Sequence, residues 1–72
     1  MTKIFAERLK EARLAAGLSQ LQLSKKSGVS RTSIQNIEYE KHVPNMYTIF
    51  ALADVLGVSL DWLVGRRNHE SK

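Results

Sequence analysis

Arg31, Thr32, Gln35 and Asn36 carry the side chains in this chain best suited to reading another molecule. On a helix turning about 100° per residue, Ile34 and Ile37 define an inward stripe. Thr32, Gln35, Asn36 and Tyr39 then fall on the opposite side, with Arg31 projecting from the helix start beside them. Arginine pairs with guanine O6 and N7, asparagine or glutamine with adenine N6 and N7, and threonine meets a thymine methyl. The chemistry this set suits is the reading of base edges in duplex DNA. Between Glu11 and Glu38 there is no acidic residue, whereas Arg13, Lys25, Lys26 and Arg31 all fall there. A polyanion approaching this surface meets no like charge. A lone polar helix face is ordinary solvated surface, so the weight lies on what precedes it.

What precedes it is a second helix and a tight joint, in the stretch SQLQLSKKSGVSRTSIQNIEY from Ser19 to Tyr39. Ser19 with Gln22 three residues on has the spacing of a capping box. Gly28 stands where a helix end favours positive φ, and Ser30 follows as a second N-cap. Two helices joined so closely must cross steeply, as in a helix-turn-helix unit.

The flanking sequence supplies the elements that position this unit. Phe5, Leu9, Ala12 and Ala16 recur at helical spacing and are expected to face a core. Thr2 is the expected cap of that first helix and Gly17 its end, with Leu18 returning to the core. Glu7, Arg8, Lys10 and Glu11 are expected to form ordinary surface charge pairs. Asn45 after Pro44 opens a fourth helix with Met46, Ile49, Leu52, Ala53 and Leu56 inward and Gly57 at its end. Ser59 caps a last short helix, Leu60 to Val64, which Gly65 stops. No alternating run bounded by turn residues suggests a strand. The expectation is an all-α, compact five-helix domain over residues 1–65, followed by a flexible polar C-terminal tail, 66–72, whose two arginines add non-specific attraction for DNA. By angle, Arg13 and Glu38 sit at the margins of their helices' apolar stripes, which suggests an ion pair between two packed helices. The alternative for Arg13 is a phosphate.

RLKEAR in the first helix, GLSQLQLSKKSGVS through the turn, IQNIE closing the third helix and ALADVLGVSLDWL near the end form a specific combination. With them the chain, from Phe5 to Gly65, resembles the Cro/repressor-type helix-turn-helix family of bacterial and phage regulators, also called the xenobiotic-response-element family. The resemblance implies a lambda-repressor-like fold and a transcriptional regulator, with a repressor the expected form. It implies that Arg13 and Glu38 lock the first helix onto the third. It implies that Gln20, at a helix N-terminus where free N–H groups favour an anion, clamps a DNA phosphate, and that Lys41 and His42 approach the phosphate backbone. Ser30 is expected to serve both as cap and as phosphate neighbour. Tyr47, Phe50, Val55, Leu60 and Trp62 cannot all point inward. The family's two-fold interface commonly lies in this region, so Val55, Leu60 and Trp62 are the expected dimer contacts. A homodimer would hold two recognition helices about 34 Å apart and read a near-palindrome.

There are departures from the family pattern. Leu14 and Leu21 stand where polar residues are usual, and Ser24 where alanine is. Glu40 replaces a preferred glycine. A left-handed conformation at Glu40 would cost of order 1 kcal/mol, and its negative charge lies near the DNA side, so either the following loop takes another path or the contacts there are weaker.

Composition bounds the reading. Seventy-two residues with a net charge of +4 allow one domain and suit an anionic partner. Without cysteine there is neither a disulfide framework nor a thiolate metal site, which fits a cytoplasmic setting. His42 has no ligand spacing to a second histidine or a carboxylate cluster, so neither metal nor cofactor is expected. No apolar run approaches the roughly 20 residues of a membrane span. Few aromatic residues argue against a stacking platform for single strands. There is no Ser/His/Asp set, no phosphate-cradling glycine loop and no paired carboxylates in one helical register, so an enzyme is not expected. The competing class is a protein-interaction module, such as the antitoxin of a toxin–antitoxin pair, with Tyr47, Phe50 and Trp62 meeting another chain.

Overall fold

Ser19, Ser30, Asn45 and Ser59 each stand in extended backbone immediately before a helix and hold its first turn. The computed structural model describes residues 2–65, with α1 at Thr2–Ala15, α2 at Gln20–Ser27, α3 at Arg31–Glu38, α4 at Met46–Leu56 and α5 at Leu60–Leu63. At Ser19 the capping box is complete. The Gln22 backbone N–H donates to Ser19 Oγ at 3.0 Å, and the Ser19 N–H donates to Gln22 Oε1 at 2.8 Å. Ser30 Oγ accepts from the Ser33 N–H at 3.1 Å, Asn45 Oδ1 from Thr48 at 2.9 Å and Ser59 Oγ from Trp62 at 3.0 Å. Each bond satisfies a donor that the helix leaves free and contributes about 1 kcal/mol.

Helices this short are not stable alone and must be held by packing. The core is built so that every helix contributes one aliphatic side chain with no exposed surface: Leu9, Leu23, Ile34, Leu52 and Leu63. Phe5, Ala6 and Ala12 extend this stripe on α1, Ile37 on α3 and Ala53 on α4. Ile49, Val55, Leu56, Val58, Leu60 and Trp62 pack around it, partly exposed. α3 lies against both α1 and α2, so its inward stripe is held on two sides and its outward face is fixed in direction.

Several expectations need correcting. Ala16 is exposed, because α1 stops at Ala15 and Ala16 already belongs to the turn. Met46 is 55% exposed. It occupies the first position of α4, and helical side chains lean toward the N-terminus, so Met46 reaches past the core. Thr2 is the first residue of α1 and not a residue ahead of it. Arg8 is half-buried, with its guanidinium carbon 5.0 Å from the centre of the Trp62 ring, and Nη1 donates to the Trp62 carbonyl. It joins α1 to α5 instead of a neighbouring glutamate. Leu14 and Leu21, which stand where polar residues are usual, are exposed, and so are Tyr47 and Phe50, in keeping with the surplus of apolar residues expected there. The segment 66–72, read as a polar tail, lies outside the described residues.

After α5 the chain turns at Gly65, whose φ is +86° and which lies beside Ile4. A Cβ built there lies 2.6 Å from Ile4 Cγ2. Gly65→Ala is therefore expected to cost about 1–3 kcal/mol, from left-handed strain and crowding together, read as a lowered denaturation midpoint. A variant with unchanged stability would mean that the backbone at Gly65 relaxes out of the left-handed region and away from Ile4 at no cost.

Candidate nucleic-acid interface

The outward face of α3 presents Arg31 and Thr32 exposed and Gln35 and Asn36 half-buried. These four side chains, named from the sequence as base-reading candidates, thus share one surface. Arg31 is the first residue of α3, immediately after the Ser30 cap.

The seat of α3 is a polar hub. Arg13 is only 7% exposed. Its Nε donates to Glu38 Oε2 at 2.8 Å, and its Nη2 donates to Glu38 Oε1 at 3.1 Å. This is the two-pronged match of guanidinium to carboxylate, which fixes angle as well as distance. The third nitrogen, Nη1, donates to the Leu18 carbonyl at 2.9 Å, in the turn before α2. No buried side-chain nitrogen or oxygen among the described residues lacks a partner. Each of the three guanidinium nitrogens of Arg13 thus donates inside the fold.

One contact in the hub was not legible in the sequence. Gln20 Nε2 donates to Glu38 Oε1 at 3.0 Å. Gln20 is the first residue of α2 and half-buried. Its amide is thus oriented by the same carboxylate that anchors α1 to α3, and one further amide hydrogen is left for an outside acceptor. Spacing along α2 gives Gln20 no visible relation to Glu38. The bond exists because the turn brings the start of α2 beside the end of α3.

At the far end of α3, Glu40 has φ +64° and is the sole non-glycine residue with positive φ among those described. The Glu40 N–H donates to the Ile37 carbonyl at 3.0 Å and the Lys41 N–H to the Asn36 carbonyl at 2.8 Å. That pair of bonds is the glycine-type helix ending. The chain thus keeps the left-handed ending with a glutamate in place of glycine. Lys41 and His42 follow, both exposed. Among the expected dimer residues, Val55, Leu60 and Trp62 are all half-buried and lean on the core. Trp62 also borders an open groove lined by Ala12, Ala15, Ala16, Leu56 and Val58.

Two short helices in contact across the turn at residues 28–30, the second of them anchored to α1, and a hydrogen-bonding outward face together define a helix-turn-helix domain. The HTH_3 helix-turn-helix family model matches residues 9–63, and the chain belongs to this family of Cro/C1-type DNA-binding transcriptional regulators. The family is non-enzymatic. The chain is 36% identical over 61 residues to the SPβ prophage-derived uncharacterized HTH-type transcriptional regulator YonR of Bacillus subtilis, covering 85% of this chain and 56% of that protein. To the immunity repressor protein of Bacillus phage phi105 it is 34% identical over 59 residues, covering 82% of this chain and 41% of that one. The chain thus spans about half the length of these curated relatives. Among solved structures, the restriction-modification controller protein C.AhdI from Aeromonas hydrophila superposes with a TM-score of 0.81 at 32% identity, covering 86% of this chain and 94% of that one. Among the described residues no helix is long and apolar enough to cross a membrane.

Proposed function

We propose that this domain is a sequence-specific operator-binding repressor that acts as a homodimer on a near-palindromic duplex in the cytoplasm. α3 enters the major groove. Arg31, Thr32, Gln35 and Asn36 meet base edges, while Gln20, Ser30, Lys41 and His42 meet phosphates on either side. Val55, Leu60 and Trp62 form the two-fold contact, which sets two α3 helices about one DNA turn apart. The observation that carries this reading is the hub: Arg13, Glu38 and Gln20 hold the outward face of α3 and the start of α2 in one rigid relation. Rigid placement is what base reading needs, since its donors and acceptors must match base edges in position as well as type. The phage relative named as an immunity repressor favours repression over activation.

The direct experiment is selection of binding sites from a random duplex pool at about 150 mM salt, near physiological ionic strength. An enriched palindrome with half-sites about one turn apart is the expected result. Absence of any enriched sequence would reduce the reading to general electrostatic attraction. On the selected site, Arg31→Ala is expected to cost about 1–3 kcal/mol and to relax one operator position. A variant still tight and fully selective would remove Arg31 from the reading set.

A further inference from the structure

Glu40 breaks two local preferences at once, and no side-chain partner compensates for them. It holds a left-handed backbone conformation that L-residues other than glycine avoid. The four other helix ends place glycine in that conformation, and α1 and α4 close with the same pair of backbone bonds as α3. It also sets a negative charge at the carbonyl end of α3, where the helix dipole favours a cation. Finally, its side chain is exposed, and among the described residues no side chain pairs with it. Among the described residues no side-chain contact offsets these costs. Where local rules are broken without internal compensation, the reason is expected in function.

The position indicates which function. Glu40 directly follows the helix whose outward face carries Arg31, Thr32, Gln35 and Asn36, and directly precedes Lys41 and His42. Its backbone is pinned where α3 ends, by the Glu40 N–H bond to the Ile37 carbonyl and the Lys41 N–H bond to the Asn36 carbonyl, so the side chain leaves the chain at the C-terminal end of that outward face. We propose that Glu40 is an affinity-limiting residue that repels the DNA backbone. It counters the cationic approach surface and leaves a larger share of binding to base contacts. Specificity gains when a generic attraction is opposed by a built-in repulsion. This inference rests on the operator-binding reading.

The test compares the wild-type chain with Glu40→Gln and Glu40→Gly on a random-sequence duplex, followed by fluorescence anisotropy from about 50 to 200 mM salt. Glu40→Gln removes the charge and keeps the left-handed backbone. It is expected to bind about threefold to tenfold more tightly at the lowest salt, the scale of one like-charge contact several ångströms away in a water-like medium. Its affinity is expected to fall more steeply with salt, by up to about one unit of log–log slope. Glu40→Gly is expected to tighten binding equally and also to melt about 4–8 °C higher, because it relieves the strain as well. If wild type binds and Glu40→Gln binds no better, the repulsive role is wrong and the DNA reading stands. If only Glu40→Gly tightens, backbone geometry is responsible and the charge is not. If none of the three binds at the lowest salt, the operator-binding reading falls and this proposal falls with it.

Discussion

Glu38→Ala is expected to destabilise the domain by about 3–5 kcal/mol, the cost of leaving one partner of a buried ion pair uncompensated. A chain of this size has of order 4–10 kcal/mol in total, so much of the population should be unfolded under mild conditions. The reason lies in what Glu38 touches. It takes both prongs of Arg13 and the amide of Gln20. Its removal strands a guanidinium whose side chain is 9% exposed in surroundings that offer it only the Leu18 carbonyl. Urea denaturation followed by circular dichroism measures the loss. A midpoint equal to wild type would mean that Arg13 reaches solvent when freed. The paired replacement Arg13→Met with Glu38→Leu separates charge from shape. It is expected to restore stability to within about 1 kcal/mol of wild type or better, because well-packed apolar residues avoid the desolvation that the ions suffer. Gln20 would still lack its acceptor, so the restored fold is expected to bind every duplex less tightly, without a change in sequence preference.

Leu63→Ala is expected to cost about 2–5 kcal/mol, the range for emptying a fully buried leucine site. Leu63 has no exposed surface and is the only buried residue of α5, which has four residues. A helix of one turn has no stability of its own, so α5 is held chiefly by this side chain, with Leu60 and Trp62 packed at the core's edge and the Arg8 contact to Trp62 beside it. Deleting Leu63 should therefore undock α5 from α1 and α4 in addition to leaving a void. The single tryptophan of the chain, Trp62, reports this directly: its emission should shift to the red as the ring leaves Arg8 and meets water. At about 4–8 °C per kcal/mol, the melting temperature should fall by about 10 °C or more. A fall in melting temperature without a spectral shift would mean that α5 stays docked around an empty site.

Helix starts were the most legible part of the sequence. Ser19, Ser30, Asn45 and Ser59 are side chains that act on backbone within three residues, and so short a reach leaves a local signature. The inward residues of α3 were equally plain, since Ile34 and Ile37 stand in a helix otherwise polar. The edges of the core were not. Ala16 and Met46 match the period, yet the period does not tell where packing ends, and both lie just past it. Long-range polar contacts were legible only where two charges of opposite sign flank apolar stripes, as Arg13 and Glu38 do. Gln20 carries no charge and its partner lies 18 positions away, so no rule of spacing links them. Arg8 misled for a related reason. Its neighbours on α1 include two glutamates, while its partner, Trp62, is 54 residues distant.

The contact between Gly65 and Ile4 has a topological meaning. It brings the last described residue against the first turn of the first helix, with Arg8 and Trp62 as a second stitch one helical turn further in. The described chain is thus a closed ring with a seam, and its linear order is only one way of cutting that ring. Gly65 and α1 could be joined by a short linker and the circle reopened in an exposed turn such as Ala16–Gly17. The residue contacts of the folded state would be the same, but the order in which the chain meets them would change.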